Sequence, residues 1–327
     1  MSEIDQIITL DPEEKADFES LIKKTRKSFV SSPKETIQKA TICHQDKIKS
    51  LIRQKELSEA ILFIRENAYL SFLKEEYSFN GNILKSLSNT FQKPKNILQK
   101  LSQELFAFKR ESQEIFYKKF VSLFGEGAGR ISPYIYQLCL SNTQSRRSRA
   151  GKVFEEIIYF LYEWHDYAYE SQASIGKKVF ASLNLGKVVD SVLPNTEAFR
   201  SRRNKTIVGS MKTSLRERWQ EVVEEISRSN LPNIHLLTLD TEISAKKAEQ
   251  MSEHNIVLVT LRKTKEEEHL KSMRNIIDFE AYFYEEIPNI LDFGAALRRI
   301  LPPNNIRSFI IKLHMPLMNL GIFSITM

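Results

Sequence analysis

The stretch TIVGSMKTSLRERWQEVVEEI, residues 206–226, is the most informative about the fold, because it joins a predicted strand to a predicted amphipathic helix. Side chains alternate between the two faces of a strand, so Ser210 and Lys212 point the same way while Met211 points the opposite way. The residues that follow have apolar side chains at helical spacing. The apolar stripe of this helix consists of Leu215, Trp219, Val222, Val223 and Ile226. Charged residues at the helix start therefore lie beside the strand end that carries Lys212.

The composition is that of a globular chain with a modest excess of positive charge. The 327 residues are 42% hydrophobic and 27% charged, which suits one large or two ordinary soluble domains. Lysine and arginine number 48 against 41 aspartates and glutamates, giving a net charge of +7 and an isoelectric point near 9.1. This balance favours a polyanionic partner such as nucleic acid without requiring one, because many basic proteins bind none.

The cysteines and the two ends of the chain predict a cytoplasmic protein. Cys43 and Cys139 are far apart and form no CxxC pair, so neither a disulfide framework nor a zinc site is expected. Residues 1–18 are acidic and lack the hydrophobic run of a signal peptide. The apolar segment 308–327 is interrupted by a lysine, a histidine and a proline. We therefore predict that it forms a buried strand and a packing tail rather than a membrane span.

The chain is predicted to divide into two parts. Residues 1–125 are predicted to be helical, because apolar residues recur at helical spacing between lysines and glutamates. GEGAGRISP, residues 125–133, is rich in glycine and predicts a linker between this region and a second domain, 126–327. A phosphate-binding loop is the alternative, but no strand precedes these glycines and their spacing fits neither nucleotide-binding motif.

The second domain alternates helices and strands, which predicts an α/β fold with a mixed sheet flanked by helices. The elements in chain order are a helix at RAGKVFEEIIYFLYEW (149–164), a strand at GKVVDSVLP (186–194), a strand at NKTIVGSMK (204–212), a helix from Thr213 to Arg228, a buried strand at IHLLTLD (234–240), a helix at SAKKAEQMSEHN (244–255) with Ser244 as its N-cap, and a buried strand at IVLVTL (256–261).

Carboxylates and one lysine are predicted to gather at neighbouring strand ends. Asp190 ends the apolar run KVVD, 22 residues before Lys212, and Glu155 lies in the preceding helix. Arg218 and Glu225, at positions i and i+7, line the edge of the packed face of the helix after Lys212. Mg²⁺ prefers oxygen ligands, and a nearby lysine can orient water and stabilise charge on a phosphate. These residue types point to metal-assisted phosphodiester hydrolysis; the alternative is that they are ordinary surface residues.

The chain resembles the PD-(D/E)xK nucleases, and within them the EcoRII C-terminal, PspGI and SsoII/Ecl18kI group of type II restriction endonucleases. SRAGKVFEE, residues 148–156, is similar to the group's Arg-Ala-Gly-x-x-Phe-Glu helix and matches Glu155 to its acidic residue. Asp190 matches the metal-binding aspartate, and residues 210–212 match the Ser-x-Lys that replaces Glu-x-Lys in this group. The resemblance covers about residues 142–262 and implies a restriction-endonuclease-like core.

The resemblance also implies the catalytic roles. In this group the carboxylate missing from the Ser-x-Lys is supplied by the next helix, thirteen residues after the lysine, which implies Glu225, with Glu224 as the alternative. Asp190 and Glu225 would then hold Mg²⁺, Glu155 would assist or bind a second ion, and Lys212 would activate water.

The same resemblance implies the DNA site. Base reading would fall to the residues just after the lysine, Arg216, Glu217 and Arg218, since arginine can donate to guanine O6 and N7 and glutamate can accept from cytosine N4. It further implies a homodimer on double-stranded DNA, cutting both strands of a CCNGG- or CCWGG-like site before the first cytosine. The helical region 1–125 would serve as a dimerisation or DNA-binding arm.

Members of the group flip the central bases out of the duplex onto an aromatic platform. Phe91 is a candidate for stacking such a base; the alternative is that Phe91 is a core residue or loop anchor. Two basic runs flank the predicted core and are candidates for phosphate contacts, although isolated runs of this kind are often solvated loops. These candidates are Arg146, Arg147, Arg149, Arg202 and Arg203.

We therefore predict a Mg²⁺-dependent, dimeric type II restriction endonuclease. One alternative is a less specific DNA nuclease of the same fold. The other is a regulator that binds DNA without cutting it. The acidic residues argue against a regulator, because Asp190 and Glu225 would repel phosphate unless a cation lay between them.

Overall fold

The structure is a computed structural model that describes residues 9–183, 185, 188–215, 218–229, 231 and 233–291. Within these ranges the side chains of Arg218, Glu225 and residues 227–229 are not described. Among the described residues, no helix combines the length and apolar character that crossing a membrane requires.

The N-terminal part of the chain is helical, as its periodicity predicts. Asp11 caps the first helix by accepting from Glu14 N at 2.8 Å, and Ser32 and Glu35 form a reciprocal capping box on the second. The helices of this part are α1 (Pro12–Phe29), α2 (Pro33–Cys43), α3 (Gln45–Arg53), α4 (Leu57–Thr90), α5 (Gln92–Ala107) and α6 (Gln113–Arg130).

The glycine-rich segment 125–133 is helical, so the prediction of a linker conformation there is wrong. Gly125 to Gly129 lie in the last turns of α6, and α7 (Ser132–Trp164) follows at once with Pro133 in its first turn, where proline fits. A Cβ on Gly127 would come 2.7 Å from Leu101 Cδ1, so glycine here permits close packing of α5 against α6 rather than flexibility. A domain boundary between residues 125 and 126 stays a prediction.

A six-stranded mixed sheet follows α7, with the strands in chain order across the sheet. The first three strands pair antiparallel and the last four pair parallel. The strands are β1 (Glu170–Ser171), β2 (Ser191–Leu193), β3 (Ile207–Lys212), β4 (Ile234–Thr238), β5 (Ile256–Thr260) and β6 (Ile276–Asp278). The strands predicted at β2 to β5 are confirmed, whereas the short edge strands β1 and β6 were not predicted.

Helices pack on both faces of this sheet, which confirms the predicted α/β architecture. Ser244 caps its helix by accepting from Lys247 N, as predicted. The remaining helices are α8 (Gln172–Ile175), α9 (Lys177–Ser182), α10 (Thr196–Ser201), α11 (Arg218–Ser229), α12 (Ala245–Glu253), α13 (Arg262–Lys265), α14 (Phe279–Ala281) and α15 (Ile287–Leu291), with a 3₁₀ turn at Arg203–Lys205 and a π-helical turn at Tyr282–Glu286.

Alternation along β3 divides the core between the two faces of the sheet. Met211 faces a cluster formed with α7 and with helices α2 to α4, whereas Val208 faces a second cluster formed with α11 and α12. The N-terminal helices α2 to α4 thus share one hydrophobic core with α7 and the sheet. This shared core fixes α7, and with it Glu155, against the sheet.

Candidate active site

The centre of the site is an ion pair at the carboxyl end of β3. Lys212 Nζ lies 3.2 Å from Asp190 Oδ2, and the two side chains are 14% and 12% exposed. Asp190 directly precedes β2, which runs antiparallel to β3, and Asp190 N donates to Gly209 O at 2.9 Å. Met211 N also donates to Asp190 Oδ2, at 2.7 Å. Backbone pairing of β2 with β3 therefore brings the predicted aspartate to the predicted lysine.

Glu155 faces this pair from α7. Its carboxylate accepts from Lys152 Nζ at 2.7 and 3.0 Å, and its pKa is raised by burial and by the negative charge of Asp190. The positive charges of Lys152 and Lys212 oppose this rise without cancelling it. Two carboxylates thus lie close enough to repel each other in a half-buried site.

Tyr159 connects the same face of α7 to Asp190. It lies one helical turn after Glu155, and its hydroxyl donates to the main-chain O of Asp190 at 3.0 Å. Burial is the main cause that raises the pKa of Tyr159, and the charges of Glu155 and Asp190 add to it. The phenol therefore stays protonated and acts as a hydrogen-bond donor.

Ser210 fills a closely packed position in β3. Its side chain is fully buried, and among the described residues its hydroxyl has no hydrogen-bond partner. A Cβ on the neighbouring Gly209 would come 2.6 Å from Ser191 Oγ, which shows how closely β2 approaches β3 here. This enclosure gives Ser210 no access to a substrate, so it is not placed as a nucleophile.

A second aspartate, Asp240, contacts the segment between β3 and α11. Leu215 N donates to Asp240 Oδ2 at 2.8 Å, and Asp240 lies just beyond the carboxyl end of β4, the parallel neighbour of β3. This hydrogen bond ties the chain just after Lys212 to the carboxyl end of β4.

The predicted residues beyond Leu215 are only partly described. Arg216 and Glu217 lie outside the described residues, and the side chains of Arg218 and Glu225 are not described. The backbones of Arg218 and Glu225 belong to α11, and Glu224 in the same helix is exposed.

The donor set fits a hard divalent cation. Mg²⁺ is usually bound through one or two protein carboxylates, with water and substrate phosphate completing its coordination. The described part of the chain contains no group of three or more histidine, cysteine, aspartate or glutamate side chains that could hold a metal ion. Burial first, and the charge of Asp190 second, raise the pKa of Glu155, so a cation between the two carboxylates would favour their ionised forms.

The arginines predicted to contact phosphate fall into two sets. Arg146 and Arg149 point toward the N-terminal helices: Arg146 pairs with Glu76, and Arg149 donates to Ser31 O and Thr36 Oγ1. The other set is exposed. Its members are Arg147, Arg202 and Arg203.

Phe91 is buried in an aromatic cluster. Its ring contacts those of Phe18 and Tyr134 edge-on or tilted, at centroid distances of 5.8 and 5.3 Å. This position favours the alternative of a core residue over a platform for an extruded base.

Three side chains that contact the candidate site are not predicted from the sequence. Lys152 and Tyr159 share one face of α7 with Glu155, at positions i−3 and i+4, so helical spacing from Glu155 is a signal that could have found them. The sequence around Asp240 carries no such signal, because the contact of Asp240 with Leu215 depends on the pairing of β4 with β3.

Comparison with known proteins identifies the family of this chain. A family model described as EcoRII C terminal matches residues 111–283. The chain is 32% identical over 270 residues to the type II restriction enzyme SsoII of Shigella sonnei, covering 81% of this chain and 79% of that enzyme.

Solved structures show the same fold. Metal-depleted Ecl18kI in complex with uncleaved DNA superposes with a TM-score of 0.66 at 27% identity, covering 91% of this chain and 90% of that chain. The restriction endonuclease PspGI in its substrate DNA complex superposes with a TM-score of 0.54 at 19% identity, covering 83% and 96%, which shows the fold alone. With Lys212 and Asp190 at the centre of a restriction-endonuclease-like sheet, the chain belongs to the EcoRII C-terminal family and is a type II restriction endonuclease, an enzyme that cleaves DNA at specific sites.

Proposed function

We propose that this enzyme is a Mg²⁺-dependent homodimer that cuts both strands of a CCNGG- or CCWGG-like site before the first cytosine. The observation that carries the proposal is the Lys212–Asp190 pair, 3.2 Å apart at the carboxyl end of β3, with Glu155 facing it from α7. The proposed location is the cytoplasm, where the DNA substrate is found and the two isolated cysteines stay reduced.

Asp190 and Glu225 would hold the metal, and Glu155 would assist or bind a second ion. When bound, Mg²⁺ would polarise the scissile phosphate and offset the negative charge that develops on it. Asp190 is suited to this role because Met211 N and Lys212 Nζ both donate to Oδ2, and these two bonds hold the carboxylate in one orientation. Glu224 stays the alternative to Glu225; its exposed position in α11 supports the assignment to Glu225.

Lys212 would orient the attacking water and stabilise charge on the phosphate. An ammonium has three N–H donors, and the bond to Asp190 uses one of them. Among the described residues Asp190 is the one acceptor for Lys212 Nζ, so the other two donors can reach a water oxygen and a phosphate oxygen. Because the side chain is largely enclosed, its electrostatic effect on a phosphate is screened less than that of a surface lysine.

Base recognition would fall to Arg216, Glu217 and Arg218. Their place in the sequence supports this role, because they follow Leu215, whose N donates to Asp240 just beyond the carboxyl end of β4, and the neighbouring end of β3 carries Lys212. Guanine and cytosine edges in the major groove present the acceptors and donors that arginine and glutamate match.

Phosphate contacts would come first from Arg147, Arg202 and Arg203, whose exposure supports the assignment. Arg146 and Arg149 would have to leave their partners Glu76 and Thr36 to take part. Base flipping stays part of the proposal, although Phe91 is buried and is not placed to stack the base. DNA with 2-aminopurine at the central position of the site would report flipping as a rise in fluorescence.

The homodimer is supported by an exposed apolar stripe on α6. Tyr117, Phe120, Val121 and Phe124 are 45–67% exposed and recur at i, i+3, i+4 and i+7, so they form one face. Each chain supplies one Lys212–Asp190 pair, and cutting two antiparallel strands needs two such sites. Sedimentation equilibrium tests this interface. Phe120→Glu should be a monomer, whereas the control Tyr77→Glu, at an exposed residue of α4, should still be a dimer.

The decisive test is cleavage of a large plasmid set with Mg²⁺ by the native chain, Lys212→Ala and Asp190→Ala, followed by sequencing of the fragment ends. Discrete fragments with 5′ overhangs that span the whole site, absent from both variants, are the expected result. Smeared products would favour a less specific nuclease. Intact plasmid, with DNA affinity that does not depend on Mg²⁺, would favour a regulator and overturn the proposal.

A further inference from the structure

Tyr159 joins the two elements that carry the catalytic carboxylates. The helix α7 carries Glu155, and the start of β2 carries Asp190. The hydroxyl of Tyr159, one turn after Glu155, donates to the main-chain O of Asp190 at 3.0 Å. Among the described residues, this hydrogen bond is the one that links α7 directly to Asp190.

The other bonds of Asp190 hold it to the sheet. Its N donates to Gly209 O at 2.9 Å, and its O also accepts from Gln172 N at 3.3 Å. These bonds set the position of Asp190 relative to β3 and to the start of α8. They do not set its distance from α7, which depends on hydrophobic packing and on the Tyr159 hydroxyl.

The ring of Tyr159 is held in a single orientation. It stacks on Tyr169 at a centroid distance of 5.0 Å with an interplanar angle of 13°. Tyr169 is itself anchored to α7, because its hydroxyl donates to Glu163 at 3.0 Å. A buried phenol that lost its acceptor would lose a hydrogen bond that water could not easily replace. The bond to Asp190 is therefore a rigid link rather than one of several options.

We propose that Tyr159 is a positioning residue that sets the separation between Asp190 and Glu155, and so tunes how tightly the site binds a divalent metal. The inference rests on the proposed metal role of these two carboxylates. Carboxylates that repel each other tend to move apart. The Tyr159 hydroxyl opposes this movement before any metal arrives, which is preorganisation of the ligand pair.

The test is Tyr159→Phe, compared with Tyr167→Phe as a matched control. Tyr167 is also buried, and its hydroxyl also donates to a main-chain oxygen, that of Phe283 at 2.7 Å. Both substitutions remove one hydroxyl and keep the ring, so both variants should fold, and thermal unfolding checks that they do. The probe is Mn²⁺ alone, with the dissociation constant measured from the EPR signal of the unbound ion.

The expected result is that Tyr159→Phe raises the Mn²⁺ dissociation constant roughly threefold to tenfold, the effect of losing one hydrogen bond, while Tyr167→Phe leaves it unchanged. DNA affinity without metal should be the same in both variants. Equal Mn²⁺ affinity in Tyr159→Phe and Tyr167→Phe would overturn the inference and leave the proposed function intact. A native chain that binds no Mn²⁺ and cleaves no DNA would instead overturn the proposed function, and this inference with it.

Discussion

Two enclosed carboxylates in this protein pair with cations in different ways. Glu76 in α4 is 3% exposed and pairs with Arg146 of α7, whose Nε lies 3.0 Å from both carboxylate oxygens. Asp190 pairs with Lys212, and in the described part of the chain the two donors to its side chain, Lys212 Nζ and Met211 N, use the same oxygen, Oδ2.

The difference separates a structural pair from a pair suited to bind a ligand. A guanidinium that contacts both oxygens satisfies the carboxylate and leaves little for a third partner. A lysine that shares one oxygen with a backbone N–H holds the carboxylate still and leaves Oδ1 for another partner. Half of the Arg146 side chain is exposed, whereas Lys212 and Asp190 are both largely enclosed. Enclosing two charges costs free energy, which is characteristic of a functional site more than of a stabilising contact.

The largest expected effect is on catalysis by the second pair. Lys212→Ala should lower the single-turnover cleavage rate by on the order of 10²–10³, the usual effect of removing one donor that stabilises developing charge. The fold should also lose stability, because Asp190 then keeps its charge in an enclosed position without Lys212, so the rates are compared at a temperature where thermal unfolding shows that this variant and its control are folded. Lys15→Ala is the matched control, since Lys15 forms an exposed ion pair with Glu19 on α1. Equal cleavage rates for Lys212→Ala and Lys15→Ala would contradict the distinction between the Lys212–Asp190 pair and the structural Arg146–Glu76 pair.

The next effect is on stability and concerns the first pair. Arg146→Ala should lower the free energy of unfolding by about 2 kcal/mol, because Glu76 loses its direct partner while buried. The value is at the low end for a buried pair, since the Arg146 head is half exposed and Arg26 also interacts with Glu76. Urea denaturation measures it, with the exposed neighbour Arg147→Ala as control. Two identical unfolding curves would contradict the structural role of Arg146.

A smaller effect, of opposite sign, is expected at Glu155. Its raised pKa means that the ionised carboxylate costs folding free energy at pH values above the folded pKa, and that this cost vanishes below the unfolded value of about 4.3. Glu155→Gln should therefore stabilise the metal-free protein at neutral pH, while it impairs cleavage. The gain should shrink as the pH is lowered, which thermal unfolding at several pH values would measure. A destabilised variant at neutral pH would contradict the account of Glu155.

The smallest effect concerns a third pair, His235 and Glu286, at 3.1 Å. The hydrogen bond from His235 lowers the pKa of Glu286. A lowered carboxylate pKa contributes stability that is present above the unfolded value of about 4.3 and is lost as the pH falls through the folded pKa. Glu286→Gln should therefore lose less stability than the native chain on acidification, by under about 1 kcal/mol because Glu286 is one-third exposed. Parallel acid-unfolding curves would show that the pair contributes nothing.

Local signals in the sequence predicted much of the fold. Long apolar runs predicted the central strands β4 and β5, because both faces of a parallel strand are buried. The edge strands β1 and β6 have two and three residues, too few for a period to be read. The glycines near residue 127 were misinterpreted, since only the approach of Leu101 from α5 shows why glycine is needed there.

The features of the candidate site also divide into residues that could be predicted from the sequence and contacts that could not. Asp190, Lys212 and Glu155 could be identified from their spacing and from the family resemblance. Their chemistry belongs to the side chains, and their positions follow from strands and a helix with clear local patterns. The bond from Tyr159 to Asp190 and the bond from Leu215 to Asp240 could not be read in this way, because each joins residues from separate elements.

Residue types within single helices and strands were enough to predict most of the elements, the class of chemistry and the candidate residues Asp190, Lys212 and Glu155. Which cation pairs with which carboxylate followed from the tertiary structure alone. Arg146 could have faced DNA, and it pairs instead with Glu76, 70 residues earlier in the chain. The physical reason is that the strength of an ion pair depends on burial and distance, which packing between distant segments sets and no local pattern records.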